Sequence, residues 1–185
     1  MDKRTLVDQA RTGDRDAFAV LVRAAATRMD AAARLILRDP DLARDAVQEA
    51  LIRAWRDLPG LRDPDRFDAW LQRLLINAAI DEARRRRRRT VEVHVTPTLV
   101  PEREDAIGRI ADREALDHAL ARLAPEHRAL VVMHYYLGVP LPEAAAALGI
   151  SLGAAKSRLH RAMDAMRGVF DRPAAMAEPA RGVRP

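Results

Sequence analysis

The sequence contains no cysteine among its 185 residues. The chain therefore has no disulfide framework, no thiolate metal site and no cysteine nucleophile. It also lacks an apolar run long enough to span a membrane, and no apolar signal-peptide core is present. These absences predict an intracellular, cytoplasmic protein without membrane insertion.

Residues typical of catalysis or metal binding do not form a recognisable arrangement. The five histidines have no metal-ligand spacing, and the chain has no glycine-rich phosphate loop. Asp39 and Asp41 surround Pro40, which is the pattern of a helix cap, a proline in the first turn and a second acid near the positive helix end. Metal binding by this acid pair is the alternative. We predict that the protein is not an enzyme and uses no cofactor or metal.

Charge is distributed unevenly along the chain. The net charge is +5, from 32 Lys and Arg against 27 Asp and Glu. Residues 1–90 and 113–185 carry the basic excess, whereas residues 91–112 are acidic. A hydrophobic content of 49% is enough for packed cores in one domain or two small ones. The charge pattern favours two basic domains on either side of an acidic connector.

The composition predicts helices. Alanine, leucine and arginine are abundant, and no β-branched residues alternate over a sustained stretch. We expect an all-α fold of two small helical domains, at 1–90 and 113–171, joined by a flexible linker at 91–112. The tail at 172–185 has three prolines and is predicted to be disordered, and VEVHV at 91–95 has no partner strand in view. Helices are predicted after Asp14, at 27–37, 41–58 and 67–89, and then from Arg113, at 125–136, 142–149 and 152–170.

An amphipathic helix at 67–89 runs directly into six consecutive arginines. Its apolar face is expected to consist of Phe67, Trp70, Leu71, Leu74, Leu75 and Ala78. The opposite stripe consists of Arg73, Asn77, Ile80 and Arg84. Long cationic and amide side chains one turn apart are suited to a phosphate backbone and base edges. Six like charges, among them Arg85, repel one another and favour a polyanion, whereas an arginine-ended surface helix is the alternative.

The predicted helix at 41–58 carries an apolar residue in the middle of its polar face. Its core face is expected to consist of Val47, Ala50, Leu51, Ala54, Trp55 and Leu58. On the other face, Ile52 is surrounded by Asp45, Gln48, Glu49 and Arg56. An apolar centre with a charged rim is typical of a protein-docking patch. Single exposed apolar residues are also ordinary, so both interpretations stay open on these residues alone.

The C-terminal domain has the spacing of a helix-turn-helix. A short helix, PEAAAALG, ends at Gly149, and Ser151 can cap the longer helix that follows. Its inward residues are expected to be Leu152, Ala155, Leu159, Ala162 and Met166. Its outward residues are expected to be Gly153, Ser157, His160, Arg161 and Asp164, flanked by Lys156 and Arg158. A generic helical hairpin would not require these polar residues in the first turns after a cap, which are the turns that enter a major groove.

Four segments together resemble the extracytoplasmic-function sigma factors of bacterial RNA polymerase. DAVQEALIRAWRDL is similar to that family's polymerase-docking helix, and FDAWLQRLLINAAIDEARRRRRR to its melting and −10 reading helix. LARLAPEHRALVVMHYYLGVPLPEAAAALGIS and LGAAKSRLHRAM are similar to its −35 reading domain. The chain departs from the family pattern at Ala154, Ala155 and Met163, and at Leu141, where a polar cap is common.

The resemblance implies a role for each surface. Core RNA polymerase would be bound by Asp45, Gln48, Glu49, Ile52 and Arg56. The promoter −10 element would be met by Arg73, Asn77, Ile80, Asp81, Arg84 and Arg85, with the loop at 59–66 holding a base pulled from the stack. The −35 element would be met by Lys156, Ser157, Arg158, His160 and Arg161. An anti-sigma factor is the further partner that the resemblance implies.

Two other classes of function are compatible with parts of the sequence. A repressor or activator would use the helix-turn-helix without polymerase, while the N-terminal helices dimerise or sense a ligand. A helical nucleic-acid-processing enzyme would need an acidic cluster, and no such cluster is visible in the sequence. Promoter-dependent transcription with core polymerase separates a sigma factor from both.

Overall fold

The computed structural model describes residues 2–92 and 107–170, which form helices and turns without a strand. The first four helices form an N-terminal domain, and the last four form a C-terminal domain. The α-helices are α1 (Lys3–Arg11), α2 (Arg15–Leu37), α3 (Pro40–Asp57), α4 (Phe67–Glu92), α5 (Ile107–Ala121), α6 (Pro125–Val131), α7 (Leu141–Ala147) and α8 (Leu152–Phe170). The all-α, two-domain prediction is confirmed.

Short turns complete the chain path between the helices. Two 3-10 turns, Leu58–Gly60 and Pro64–Arg66, occupy the predicted loop between α3 and α4. A π-helical turn, Val132–Tyr136, continues α6 without a break. Residues 125–136 therefore form a continuous helix, as predicted, with α-helical hydrogen bonds first and π-helical hydrogen bonds after them.

Carboxylates and a hydroxyl cap the helices where the sequence indicated. Asp14 accepts hydrogen bonds from the backbone N–H groups of Asp16 and Ala17, and Asp39 caps α3 in the same way. The Ser151 hydroxyl accepts from the N–H of Ala154 at 3.2 Å. Each such cap stabilises a helix by about 1 kcal/mol, because it satisfies a donor that the helix leaves open.

Three predicted helix boundaries were wrong. Residues 27–37 belong to α2, a single helix of 23 residues, because neither glycine nor proline interrupts Arg15–Leu37. Helix α5 begins at Ile107 rather than Arg113, and α4 continues to Glu92. Most of the predicted linker, most of the VEVHV motif and the whole predicted tail lie outside the described residues.

Small residues allow α3 to pack closely on its neighbours. Its buried stripe consists of Ala43, Ala46, Ala50 and Ala54, and continues to Leu58. Val47, Leu51 and Trp55 were expected in the core but are only half-buried. The buried stripe is therefore rotated toward the alanines, which leaves the larger apolar side chains near the surface.

The C-terminal domain holds its helix-turn-helix on a second core. This core is formed by α5, α6, α8 and the turn between α5 and α6, and its residues are Ala119, Leu120, Leu123, Val131, Ala162 and Met166. Gly149 has φ +65° between α7 and α8, a left-handed conformation that a glycine adopts without strain. Leu152 was expected to face inward but is 40% exposed, and Leu116 of α5 is 38% exposed. They sit at the margins of this core rather than inside it.

Candidate nucleic-acid and protein-docking surfaces

The outer stripe of α4 is only partly open. Arg73 is exposed and Asn77 is half-buried. Ile80 was expected on the same open stripe, but its side chain is 6% exposed. Ile80 belongs to a cluster of buried apolar residues that includes Ala129 and Leu130 of α6, and Arg84, one turn after Ile80, pairs with Glu126 of α6 at 3.5 Å. The expected exposure of Ile80 was thus wrong for this conformation, and its contact with DNA stays a prediction.

Acidic side chains neutralise much of the arginine run. Glu82 is buried and accepts from Arg85 at 3.1 Å and from Arg89 at 3.3 Å. Arg86 pairs with Asp39, the cap of α3, at 3.0 Å. These pairs hold the arginine side chains against α3 and α4, so the run does not act as six independent charges.

Two arginines of the run differ from the others. Arg87 and Arg88 are exposed, and neither has an ion-pair partner among residues 2–92 and 107–170. Their charge is therefore fully presented to a ligand. The sequence could not distinguish them from the other four, because the acids that pair with those four lie in separate parts of the chain: Glu82 in α4, Glu126 in α6 and Asp39 just before α3.

Asp81 links α4 to the predicted docking helix. Its carboxylate lies 3.6 Å from the guanidinium of Arg53, which also donates to Glu49 at 2.6 Å. Glu49 was predicted to face polymerase and Asp81 to face DNA, and Arg53 joins the two. Arg53 was missed from the sequence because it lies on neither of the faces considered there.

The outer face of α3 carries a shallow apolar groove rather than a single exposed isoleucine. Ile52 is 54% exposed. Its neighbours in the groove are Arg44, Val47, Gln48, Leu51 and Trp55. Asp45 and Gln48 are exposed and Glu49 is half-buried, so polar side chains border the groove on one side. Arg56 donates to the adjacent Asp57 at 2.7 Å instead of reaching over Ile52.

A polar cleft adjoins this groove between α3 and α4. It is lined by Leu42, Asp45, Ala46, Gln48, Glu49, Ile52, Ala78, Glu82, Arg85 and Arg89. The residues predicted for protein docking and those predicted for DNA therefore border one another. The spacing i, i+4, i+8 of Val47, Leu51 and Trp55 was the signal in the sequence for a wider apolar surface on α3.

The first turns of α8 present their polar side chains outward. Lys156, Ser157, His160 and Arg161 are exposed, as expected, and Arg158 is half-buried at the flank. His160 lies 3.2 Å from Asp164, and the guanidinium of Arg161 donates to the backbone carbonyl of Ser157 at 3.3 Å. This helix surface can offer one amine, one imidazole, one hydroxyl and two guanidinium groups to a groove.

The positive charge of this α8 surface affects the pKa of His127 in α6. Burial lowers the pKa of His127, and the positive charges of Arg158 and Arg161 lower it further. The uncharged imidazole is favoured because a second positive charge would be repelled. Sequence spacing gave no indication of this electrostatic interaction, since His127 lies in a different helix, α6.

Within residues 2–92 and 107–170, no group of three or more His, Cys, Asp or Glu side chains is placed to hold a metal ion. In the same parts of the chain, no helix is long and apolar enough to cross a membrane.

Two family models match the chain in the order of its two domains. Residues 17–89 match Sigma-70 region 2, and residues 113–166 match Sigma-70 region 4. The ECF RNA polymerase sigma factor SigL of Mycobacterium tuberculosis is 39% identical over 132 residues, which are 70% of this chain and 75% of SigL. The chain belongs to the ECF sigma factors of RNA polymerase.

Other relatives agree with this assignment. The RNA polymerase sigma-E factor of Streptomyces coelicolor is 37% identical over 144 residues, covering 76% of this sigma factor and 80% of the relative. CnrH, solved in complex with the cytosolic domain of CnrY, matches with TM-score 0.65 and 30% identity over 92% of this chain and 97% of CnrH.

One further solved structure shares the fold. The sigma factor RpoE of Bartonella quintana, solved with the anti-sigma factor NepR, has TM-score 0.68 at 23% identity and covers 83% of this chain and 96% of its own. The helical fold is thus found in one solved structure of related sequence and in one of more distant sequence.

Proposed function

We propose that this sigma factor binds core RNA polymerase through α3, contacts the −10 element through α4 and the −35 element through α8, and promotes strand opening. The observation that carries the proposal is the apolar groove around Ile52, which borders the arginine-bearing half of α4. A protein that only binds DNA has no need of such a groove next to its cationic surface. A polymerase subunit needs both, because it must hold the enzyme and the promoter together.

The domains divide this work. We assign residues 1–90 to polymerase docking and −10 recognition, residues 113–171 to −35 recognition, and residues 91–112 to the connection between them. Arg73, Asn77, Asp81, Arg84 and Arg85 are our −10 candidates, and Ile80, which is buried in this structure, is the sixth. The ion pairs of Asp81 and Arg85 support a positioning role for these two side chains, because each is already held by the protein.

Base reading and phosphate steering are separable on α8. Lys156, Ser157, His160 and Arg161 are exposed near the helix start and can reach base edges in the major groove. Arg158 lies at the half-buried flank and is placed for a backbone phosphate. We propose this division for the −35 contact.

An anti-sigma factor is the proposed regulatory partner. CnrH is bound to the cytosolic domain of CnrY, and the RpoE of similar fold is bound to an anti-sigma factor. The apolar groove of α3 is the surface on which an inhibitor would compete most directly with polymerase. We further propose that the protein acts in the cytoplasm, where polymerase and promoter DNA are found, and that it has no catalytic activity of its own.

The deciding experiment is promoter-dependent run-off transcription. The full chain is mixed with core polymerase, tested for co-purification and then supplied with a genomic promoter library. We expect a stable complex and discrete transcripts that require the added chain. A dimer that protects palindromic DNA equally well without polymerase, and yields no transcript with it, would instead establish a repressor or activator.

A further inference from the structure

Helix α1 packs on the loop that joins α3 to α4. This loop contains the two 3-10 turns, and α1 packs against both of them as well as against α2. Leu6 and Val7 of α1 belong to the same buried apolar cluster as Leu58 and Leu61 of the loop. The match to Sigma-70 region 2 begins at residue 17, so α1 lies outside it. The family match therefore assigns no role to this helix.

Burial fixes one side of the loop to the protein. Its buried residues lie three positions apart and are Leu58, Leu61 and Pro64. The N–H of Leu61 donates to the carbonyl oxygen of Leu58 at 3.0 Å and closes the first turn. The residues between these anchors are exposed, and they are Pro59, Gly60, Arg62, Asp63, Asp65 and Arg66. The loop thus has one anchored side and one open face.

Two cations at the start of α1 hold the far end of the loop. Arg4 donates to the carboxylate of Asp65 at 3.0 Å, and Lys3 pairs with Asp68 in the first turn of α4. Both pairs are exposed, so each contributes little to the free energy of unfolding. Their effect is on geometry, because they join α1 to the point where the loop becomes α4.

The charges of the loop are matched to α1. Asp57 and Asp63 pair with arginines one and three residues away, at 2.7 Å and 3.7 Å. Asp65 and Asp68, in contrast, have their ion-pair partners on α1. Arg62 is exposed and has no ion-pair partner within residues 2–92 and 107–170. Its guanidinium group is consequently available to a phosphate on the open face.

We propose that Lys3 and Arg4 are positioning residues for the α3–α4 loop, which they hold so that its open face receives one unstacked base of the −10 strand while Arg62 contacts a phosphate. The inference rests on the proposed function, and on the base-holding role that the family resemblance implies for this loop. Unstacking a base costs free energy, and a loop that is already in place adds no ordering cost to it. Lys3 and Arg4 act through the loop without touching DNA.

A charge-reversal cycle on the full chain, bound to core polymerase, tests this positioning. Arg4→Asp and Asp65→Arg each place like charges opposite one another, and the double variant restores the pair with its polarity reversed. The probe is single-stranded DNA with the −10 non-template sequence of a promoter on which the wild-type chain directs run-off transcription. Each single variant should weaken binding by up to about fivefold, the range that an exposed ion pair accounts for. The double variant should recover most of this loss.

Asp65→Arg separates positioning from simple charge attraction. The change adds positive charge beside a polyanion, which by charge alone would tighten binding. It should nevertheless weaken binding, because two cations then repel each other between α1 and the loop.

Fluorescence of the probe reports the held base directly. 2-Aminopurine replaces the −10 bases one at a time, and its fluorescence rises when it leaves the stack. The wild-type holoenzyme should raise the fluorescence at one position. Arg4→Asp should lose this rise and relax the base preference at the same position, while −35 preferences stay unchanged. A contribution of Arg4 to stability alone would change neither readout in a folded variant, and folding is checked by circular dichroism.

Arg23→Asp is the matched control, since it makes the same charge change at an exposed arginine of α2 and should behave as the wild type. Wild-type affinity and fluorescence in Arg4→Asp, or tighter binding by Asp65→Arg with its base preference intact, would overturn the positioning role. A double variant as defective as the single ones, or a wild type that raises the fluorescence at no position, would overturn it as well. If Arg4→Asp does not fold, Arg4→Gln supplies the comparison.

The proposed function is tested separately by the same preparation. Failure of the wild-type chain to direct any transcript would count against the sigma-factor function itself. Transcription by the wild type, with any of the overturning results above, would remove only the role of α1. Loss in both single variants, recovery in the double variant and no change in Arg23→Asp would establish that α1 positions the loop.

Discussion

The indole ring of Trp55 packs against the phenyl ring of Phe18, with ring centroids 5.1 Å apart and planes tilted by 58°. Phe18 belongs to α2, so this contact holds α3 from the buried side. Aromatic pairs in such geometry contribute about 0.5–1.5 kcal/mol beyond their burial. Trp55 also lines the open groove with Leu51 and Ile52. The docking surface is therefore built on a fixed helix, and Ile52 can be changed without disturbing that support.

Replacing Ile52 by glutamate should abolish docking on core polymerase without unfolding the domain. The side chain is more than half exposed, so a carboxylate is tolerated in the free protein, whereas a desolvated apolar interface excludes it. Loss of an interfacial apolar centre costs roughly 2 kcal/mol or more, which lowers affinity more than tenfold. Affinity for core polymerase is measured together with helicity by circular dichroism.

Val20→Glu is the matched control for this change. Val20 is a β-branched residue of similar exposure on α2, outside the groove. The Val20→Glu variant should bind polymerase as tightly as the wild type. Equal affinities for Ile52→Glu and wild type, with both folded, would contradict the assignment of the groove.

Arg161→Ala and Lys156→Ala should change which −35 sequences are preferred. Both side chains are exposed at the start of α8, and each lost base contact costs about 1–3 kcal/mol at the base that it reads. Arg158→Ala should instead weaken all promoters alike and lower the salt dependence of binding, because a phosphate contact carries no sequence information. Selection from a randomised −35 library, at two salt concentrations, measures both effects. Identical preferences for Arg161→Ala and wild type would contradict the division.

His127 makes stability depend on pH. Its pKa is lowered in the folded protein from an ordinary value of 6.5, so the unfolded chain binds more protons just below that pH. His127 therefore does not reduce the free energy of unfolding above about pH 6.5. Below that pH the free energy of unfolding falls as the pH decreases through the folded-state pKa. Thermal melts at about pH 7.5 and about pH 5.5 should show that acidification lowers the melting temperature less in His127→Gln than in wild type. Arg161→Gln should raise the pKa of His127 in an NMR titration, and an unchanged value would rule out the coupling.

The fold could be predicted largely because its signals are local. Asp14, Asp39 and Ser151 each lie next to the groups they cap, and the residue order alone shows this. The outward face of α8 follows from helical spacing in the same way. An all-α assignment needs nothing more than such local patterns repeated along the chain.

The α4 surface could not be predicted in the same way. Ile80 is buried in an apolar cluster that includes Ala129 and Leu130 of α6, more than forty residues further along the sequence. Which arginines are neutralised depends on Asp39, Glu82 and Glu126, which lie at the N-cap of α3, in α4 and in α6. Helical spacing places a side chain on a face, but only the tertiary arrangement determines what covers that face.

The ion pairs divide the arginine run into two functional groups. Arg87→Gln with Arg88→Gln should weaken closed-complex binding and lower the slope of log affinity against log salt by about two, because each free phosphate contact releases about 0.9 counterion. Arg85→Gln with Arg89→Gln removes the same charge from the pairs with Glu82 and should lower that slope less. The measurement is binding of polymerase holoenzyme to double-stranded promoter DNA over a salt series. Equal slopes for the two double variants would show that the pairs with Glu82 open on binding.

Asn77 tests whether α4 handles bases as well as phosphates. Its amide lies half-buried on the stripe between Arg73 and Ile80, away from the arginine run. Asn77→Ala should leave closed-complex binding nearly intact but reduce strand opening, since only an unpaired base offers the edges that an amide can hold. Permanganate reactivity of −10 thymines measures opening, on a double-stranded promoter and on one with a pre-melted bubble.

The bubble template separates capture of a base from earlier steps. If Asn77 holds an exposed base, the variant should be defective on duplex DNA and should recover only in part on the bubble, because pre-melting removes the unstacking cost without restoring the lost contact. Gln72→Ala, a half-buried amide on the same helix outside that stripe, is the control and should open both templates normally. Normal opening of duplex DNA by Asn77→Ala would show that the charge of α4, and not base capture by Asn77, carries this step.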